Sequence, residues 1–352
     1  MISPEPMLLE AEPGATEFKT PLNVLVVVPV YNGGALWREA AKALAVAQSF
    51  SRHRVRVKVV DSSSADDSVH TARAHGFEVS GIDSRDFDHC GTRNAAVLES
   101  AALRQGGGQA SAADAYVADV YVFLTQDAIL DPPNSLDILL DAFRDPEVVI
   151  AWGRQLPHHD ANPIASHARH FNYGEESRVV GLQDRARYGI KTVFTSNSFS
   201  AYRASVFNAL GGFPESTILS EDMYYAARAV LQGGKVAYVA NACVRHSHNY
   251  GPLEEFRRYF DIGVFQADHA WIEDHFGGAE GEGLRFVKSE VRTLMRRAPL
   301  WLPRAMLHDA LKILGFRLGR SYRRLPEPCR PWFSMHRGYW KKYRPGKRNN
   351  TR

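Results

Sequence analysis

Hydrophobic positions in the first 150 residues gather in short runs separated by polar turns. Asn23 to Val30 (NVLVVVPV) is an unbroken run of β-branched residues and Leu, as in a strand buried on both faces of a parallel sheet. Val55 to Val60, Glu78 to Ile82, Val120 to Leu124 and Val148 to Trp152 read as further strands. Leu36 to Ser49, Ser68 to His75, Gly91 to Leu103 and Ser135 to Phe143 read as helices between them. The alternation predicts an α/β fold, a mostly parallel open sheet flanked by helices. In such sheets a ligand lies outside the carboxyl ends of the strands. Tyr31-Asn32, Asp61 and Asp127 fall at three of those ends.

The second half is less regular. His158 to Tyr188 is rich in His, Asn, Arg and Asp. Val206 to Leu210 and Met223 to Gln232 read as helices, and Lys235 to Val239 as a strand. Leu253 to His275 carries Phe256, Phe260, Val264 and Trp271 at helical spacing. Leu300 to Leu318 is a basic amphipathic helix, with Leu307, Leu311, Leu314 and Leu318 on one stripe. That stripe serves either to pack on the body or to meet a membrane surface.

Composition adds little until charge is split by position. Of 352 residues, 45% are hydrophobic and 23% charged, which excludes a mostly disordered chain. Cys90, Cys243 and Cys329 are too few for a disulfide framework. The net charge of +4 divides into 19 Lys+Arg against 3 Asp+Glu from residue 285 onward, and 24 against 36 before it. An acidic body joined to a basic tail points to an anionic partner surface. No apolar run is long enough to span a bilayer. Residues 1–21, with Pro4, Pro6 and Pro13 and no basic-then-apolar targeting pattern, read as a mobile leader, and the protein is expected in the cytoplasm.

Candidate chemistry lies mainly at the strand ends. Asp61 with Ser62, Ser63 and Ser64 can accept from a nucleobase N–H and line a nucleotide pocket, or can cap a helix. Phe87-Asp88-His89-Cys90-Gly91-Thr92-Arg93-Asn94 opens a helix whose N–H groups favour an anion. Arg93 there suits either a phosphate or an ion pair. Thr125-Gln126-Asp127 offers one hard oxygen ligand for Mg²⁺ or Mn²⁺. Ser220-Glu221-Asp222 is a helix start whose acids either cap it or supply a general base. His246-Ser247-His248 puts two imidazoles on one side of an extended segment, suited to a metal or phosphate, or to structural hydrogen bonds. No glycine-rich dinucleotide fingerprint or phosphate loop is present.

In order and spacing these landmarks resemble family-2 inverting glycosyltransferases of the GT-A fold. Val28-Pro29-Val30-Tyr31-Asn32, Asp61 to Asp66, Thr125-Gln126-Asp127 and Ser220-Glu221-Asp222 carry that likeness. The chain looks most like bacterial rhamnosyltransferases of surface-polysaccharide (O-antigen-like) assembly. That likeness rests on Phe87 to Asn94, Gly153-Arg154-Gln155-Leu156-Pro157, Ser196 to Tyr202 and His246 to Tyr250. The resemblance covers roughly Val24 to Trp271 and implies a GT-A domain over 22–284, with a donor half to about 150 and an acceptor half beyond; the charge split adds a C-terminal basic helical extension over 285–352.

Position by position, the resemblance implies Pro29, Tyr31, Asn32, Asp61, Ser63, His89, Arg93 and Gln126 at the donor nucleotide. Asp127, His248 and His246 would hold the metal. Arg154, Asn197 and Ser198 would line the acceptor or sugar pocket. Asp222 would be the base with Glu221 beside it. The implied partners are a nucleotide-sugar, dTDP-β-L-rhamnose or else a UDP- or GDP-sugar, and a saccharide or polyprenyl-diphosphate-linked saccharide acceptor. The implied cofactor is a divalent cation, Mg²⁺ or Mn²⁺, with strict dependence in doubt because Thr125 replaces the first Asp of D-x-D. Peripheral contact with the anionic inner face of the membrane would follow from the basic extension. A nucleic-acid-binding tail, with Tyr322, Trp332, Tyr339, Trp340 and Tyr343 as stacking platforms, competes from another class. The acidic body argues against it.

Overall fold

The run Asn23–Val30 becomes β1, the strand on which the donor half is built, and its interior is fully buried. The computed structural model describes residues 20–102, 117–278 and 281–342. The leader except its last two residues, the Gly/Ala/Ser stretch from Gln105 to Ala113, and Tyr343 lie outside these.

After β1 come α1 (Gly34–Phe50), β2 (Arg54–Asp61), α2 (Ser68–Ala74), β3 (Glu78–Gly81) and α3 (His89–Ala102). β4 (Val120–Leu124), β5 (Ile129–Leu130), α4 (Ser135–Leu140) and β6 (Val148–Leu156) follow. Then come α5 (Pro163–Asn172), β7 (Arg178–Val180), α6 (Arg185–Tyr188), β8 (Phe199–Arg203), α7 (Ala204–Ala209), α8 (Glu221–Leu231) and β9 (Lys235–Arg245). The remainder is helical: α9 (Pro252–Asp268), α10 (Ala270–Phe276), α11 (Glu282–Arg297), α12 (Leu302–Arg320), α13 (Arg330–Phe333) and α14 (Arg337–Lys342).

The sheet runs β3-β2-β1-β4-β8-β6-β9-β5, with β7 also on β9. From β3 to β4 every pairing is parallel, as the apolar runs predict. β8 then enters antiparallel to both β4 and β6, and β6 and β9 run parallel again. β8 (FSAYR) escapes the sequence reading because it is short and half polar. In register, Val30 lies beside Asp61 and Val27 beside Phe123. The ends of β1, β2 and β4 therefore open on one edge.

Two apolar layers cover the sheet. One packs Trp37, Leu44, Leu136 and Phe143 against β1, β4 and β6. The other is an aromatic cluster of Phe123, Tyr202, Phe207, Phe213 and Tyr225, with ring centroids 5.0–5.8 Å apart. Edge-to-face and tilted contacts of this kind add to plain area burial.

Beyond the sheet, α12 lies along α9 at the backbone-to-backbone distance that glycine allows. A Cβ at Gly315 would collide with the Phe256 carbonyl, and one at Gly319 with the Phe260 carbonyl. The face of α12 turned inward is Ala305, His308, Asp309, Lys312, Gly315 and Gly319. The predicted leucine stripe is therefore divided. Leu311 and Leu318 are half-buried, whereas Leu307 and Leu314 are exposed. Glycine contact, not leucine packing, sets the helix pair. Gly319→Val is expected to destabilise the fold by about 1–3 kcal/mol through overpacking, read as a lower Tm. Ala310→Val, on the open face, should leave Tm unchanged. Equal Tm for both variants would contradict this packing.

Candidate active site

The parallel strand ends are tied together by short polar side chains. The Tyr31 N–H donates to Gln126 Oε1 at 2.7 Å, and Gln126 Nε2 donates back to the Tyr31 carbonyl at 3.2 Å. Asn32 accepts the Ala65 N–H at 2.8 Å, while its own N–H donates to Ser64 Oγ at 2.9 Å. Asp61 is buried. Its Oδ2 accepts the Ser64 N–H at 3.0 Å, and its Oδ1 has no partner among the described residues. A buried carboxylate oxygen left open at a strand end can accept a ligand N–H. Ser63 Oγ donates to the Ile82 carbonyl. Pro29 is partly exposed at the end of β1, and Tyr31 is freely exposed beside it. Among the described residues, the non-glycine positions with positive φ are Asn32 (45°), Ser63 (64°) and Ser220 (58°). All three lie in the motifs singled out from the sequence, where tolerated strain is a mark of function.

Glu221 and Asp222 open α8 directly after Ser220. Glu221 is buried and accepts from Arg93 Nη1 and from Asn197 Nδ2, each at 2.9 Å. Asn197 in turn accepts the hydroxyls of Ser200 and Tyr202 at 2.7 Å, and its N–H donates to Asp222 Oδ2 at 3.0 Å. Burial alone would raise both acids. Arg93 nevertheless holds Glu221 below the usual carboxylate range. For Asp222, burial and then the neighbouring Glu221 anion push the carboxyl up to about 7. One acid is thereby kept charged and the other poised near neutrality, where a general base works best.

Asp127, at the turn after β4, faces the pair of imidazoles that follows β9. Its Oδ1 lies 3.4 Å from His246 Nε2 and its Oδ2 lies 3.7 Å from His248 Nδ1. Ligand atoms of all three residues fall within 4.8 Å of one another. Gln155 Oε1 accepts from Arg169, so the His246 Nδ1 that it meets at 2.9 Å is the donor. The Gln155 contact thereby fixes the ring with Nε2 toward the Asp127 carboxylate, where a cation between them would take both as ligands. Burial, then the adjacent His246, lowers His248 to about 3, so its ring is held neutral as a ligand must be. His248 also stacks on Tyr250 at 4.9 Å. This donor set fits a borderline divalent ion with mixed N and O ligands.

Other sequence-derived candidates are placed differently. Arg93 turns inward to Glu221 and to the His89 carbonyl, so its guanidinium is not aimed at a diphosphate. The choice left open between phosphate and ion pair falls to the ion pair. α3 begins at His89, two residues earlier than expected, and Asp88 Oδ1 accepts the Cys90 and Gly91 N–H groups that would have faced an anion. Asn197 is buried and orients the two acids instead of lining an open pocket. Arg154 holds the Tyr173 carbonyl and Glu175. Ser198 remains partly exposed in the same turn.

Two features went unread in the sequence. Gln155 was quoted only as part of a motif, yet it orients His246. The chain after α12 returns to the body: buried Asp261 on α9 accepts the N–H groups of Met335 and His336. The His336 ring then sits 5.2 Å from His89, edge-on. No local pattern marks a contact made across nearly 250 residues.

The chain matches the model of glycosyltransferase-like family 2 over residues 21–262 and belongs to that family. It is a glycosyltransferase of GT-A architecture. Among curated proteins it is 49% identical over 316 residues to the O-antigen chain rhamnosyltransferase WbaN of Salmonella anatum, covering 90% of this chain and 95% of that one. It is 48% identical over 320 residues to the O-antigen chain rhamnosyltransferase RfbN of Salmonella typhimurium, covering 91% and 96%. Among solved structures it superposes on a Pyrobaculum calidifontis mannosyltransferase in complex with GDP-Man and Mn²⁺. The TM-score is 0.51 at 17% identity, over 94% of this chain and 88% of that one, a likeness of fold.

Mn²⁺ binding followed by paramagnetic resonance of the free ion tests the Asp127–His246–His248 group. Asp127→Ala is expected to abolish binding. Gln155→Ala, which frees the His246 ring, should weaken it by about 10–100-fold. Unchanged affinity in both would contradict the assignment.

Proposed function

We propose that this glycosyltransferase moves L-rhamnose from dTDP-β-L-rhamnose, with inversion, to a hydroxyl of a saccharide carried on a polyprenyl diphosphate. One observation carries the donor sugar: near-half identity, over almost the whole length of each, to two relatives named as rhamnosyltransferases. The site residues supply a consistent chemistry. Asp61 Oδ1 accepts the pyrimidine N–H, with Tyr31, Asn32 and Ser63 around the base. Asp127, His246 and His248 hold a divalent cation, Mg²⁺ or Mn²⁺, which when bound neutralises charge on the diphosphate.

Asp222 takes the proton from the acceptor hydroxyl as that oxygen bonds to the anomeric carbon. The bond from that carbon to the diphosphate oxygen breaks with its electron pair, and dTDP leaves. Attack opposite the leaving group yields an α-L-rhamnoside. Glu221 acts through Asp222: its fixed negative charge keeps the base proton affinity high. A lipid-linked acceptor would place the enzyme in the cytoplasm, at the inner membrane face.

Nucleoside diphosphate release across a panel of nucleotide-sugars tests the donor. Turnover is expected with dTDP-rhamnose and not with UDP-glucose or GDP-mannose, and the reverse would overturn the assignment. Asp222→Asn should abolish transfer and leave dTDP binding intact. In the wild type, kcat/KM should fall as pH drops through about 7, where Asp222 takes up its proton. Glu221→Gln removes the neighbouring anion, so this limb should move to lower pH. A limb that stays in place would exclude Asp222 as the group that sets it.

A further inference from the structure

α12 carries its polarity reversed. A helix on a water-soluble body normally turns its apolar stripe to the core. Here His308, Asp309 and Lys312 are buried, each under one-tenth exposed, while Met306 and Leu307 are 67% and 51% exposed. Ile313 and Leu314 are likewise more than half exposed, and all four fall on one helix face at i, i+1, i+7 and i+8. Met295 at the end of α11 and Leu300 in the short link to α12 are exposed as well, Leu300 at 93%.

The inversion has a physical cause. The side of α12 that meets α9 must be glycine to let the backbones touch, and the remaining inward positions form a polar layer. Lys312 pairs with Asp309 at 3.4 Å and lies 4.9 Å from the centre of the Phe286 ring. Leucine on the far side therefore has nothing among the described residues to pack against.

Charge identifies what would cover it. Arg292, Arg296, Arg297, Arg304 and Arg317 are exposed on the same two helices. Between residues 285 and 320 the acids are Glu290 and Asp309, and both are buried. Within residues 285–320, exposed apolar side chains are therefore accompanied by exposed positive charge and by no exposed acid. A second copy of this chain would bring arginine against arginine around a two-fold axis. An anionic bilayer offers hydrocarbon for the patch and phosphate for its border, the two attractions that hold interfacial helices.

We propose that the face formed by Met306, Leu307, Ile313 and Leu314 is a docking surface for an anionic phospholipid bilayer. It deepens the lipid-linked acceptor reading, which it would serve, but its test needs neither donor nor acceptor. The full chain is sedimented with phosphatidylcholine vesicles, with and without phosphatidylglycerol. Leu307→Glu/Ile313→Glu/Leu314→Glu is compared with the wild type. These positions are exposed, so Tm should not change.

The wild type is expected to bind the anionic vesicles, and binding should fall with added salt as the arginine contacts are screened. The triple variant should bind about tenfold less or weaker still, since each glutamate opposes both attractions. Equal partitioning of wild type and variant, or binding indifferent to phosphatidylglycerol, would overturn the proposal. So would a wild-type dimer that the triple variant dissociates, because the face would then be a subunit interface. Rhamnosyl transfer to a short soluble saccharide should be equal in both proteins. Its absence from both would count against the proposed function and leave the docking surface standing.

Discussion

Two carboxylates on adjacent residues at a buried helix start cannot both be charged cheaply, and the side chains around the start of α8 are arranged around that conflict. Arg93 decides which acid keeps its charge, because it reaches Glu221 from α3, across the sheet from α8 in sequence but adjacent in space. Asn197 makes the decision rigid. It donates to both acids, through its side chain to Glu221 and through its backbone to Asp222. Ser200 and Tyr202 of β8 then hold the Asn197 carbonyl oxygen. The antiparallel strand inserted into an otherwise parallel core thus has a chemical consequence: it supports the residue that aims the proposed base.

The same economy of means is visible at the other end of the site. Asp127 is one carboxylate where a D-x-D pair would supply two, and Thr125 cannot replace the missing anion. Two imidazoles delivered by the chain after β9 complete the proposed ligand group. Gln155 of β6, paired in register with Val244 of β9, reaches the first of them. The proposed metal group lies just past the ends of β4 and β9, and the proposed base opens α8, where the Asn197 N–H just before β8 holds it.

How far this was legible in the sequence depends on the distance over which each residue acts. The parallel half was readable because β1, β2 and β4 are apolar runs ending in polar residues, and strand ends and turn residues are local signals. Asp61, Asp127 and the Glu221–Asp222 pair stood out for the same reason. The role of Arg93 was not readable, because an arginine at a helix start serves a phosphate or a carboxylate equally well and its partner lies 128 residues away. Asn197 looked like a pocket residue, since nothing local shows that its side chain turns inward. The stripe on α12 was found by its period, but a period does not say which side faces the core. Gly263, Gly315 and Gly319 answered that, through backbone contact that hydrophobic patterning does not register.

The central claim is the unequal charge of the acid pair. ¹³C-detected titration of the aspartate and glutamate side-chain carboxyls, with Asp222→Asn used to assign the Asp222 signal, measures it without substrate, metal or turnover. One carboxyl of the pair is predicted to titrate near 7 and to vanish in the variant, while Glu221 titrates below the usual carboxylate range. Two ordinary titrations near pH 4 would contradict the account.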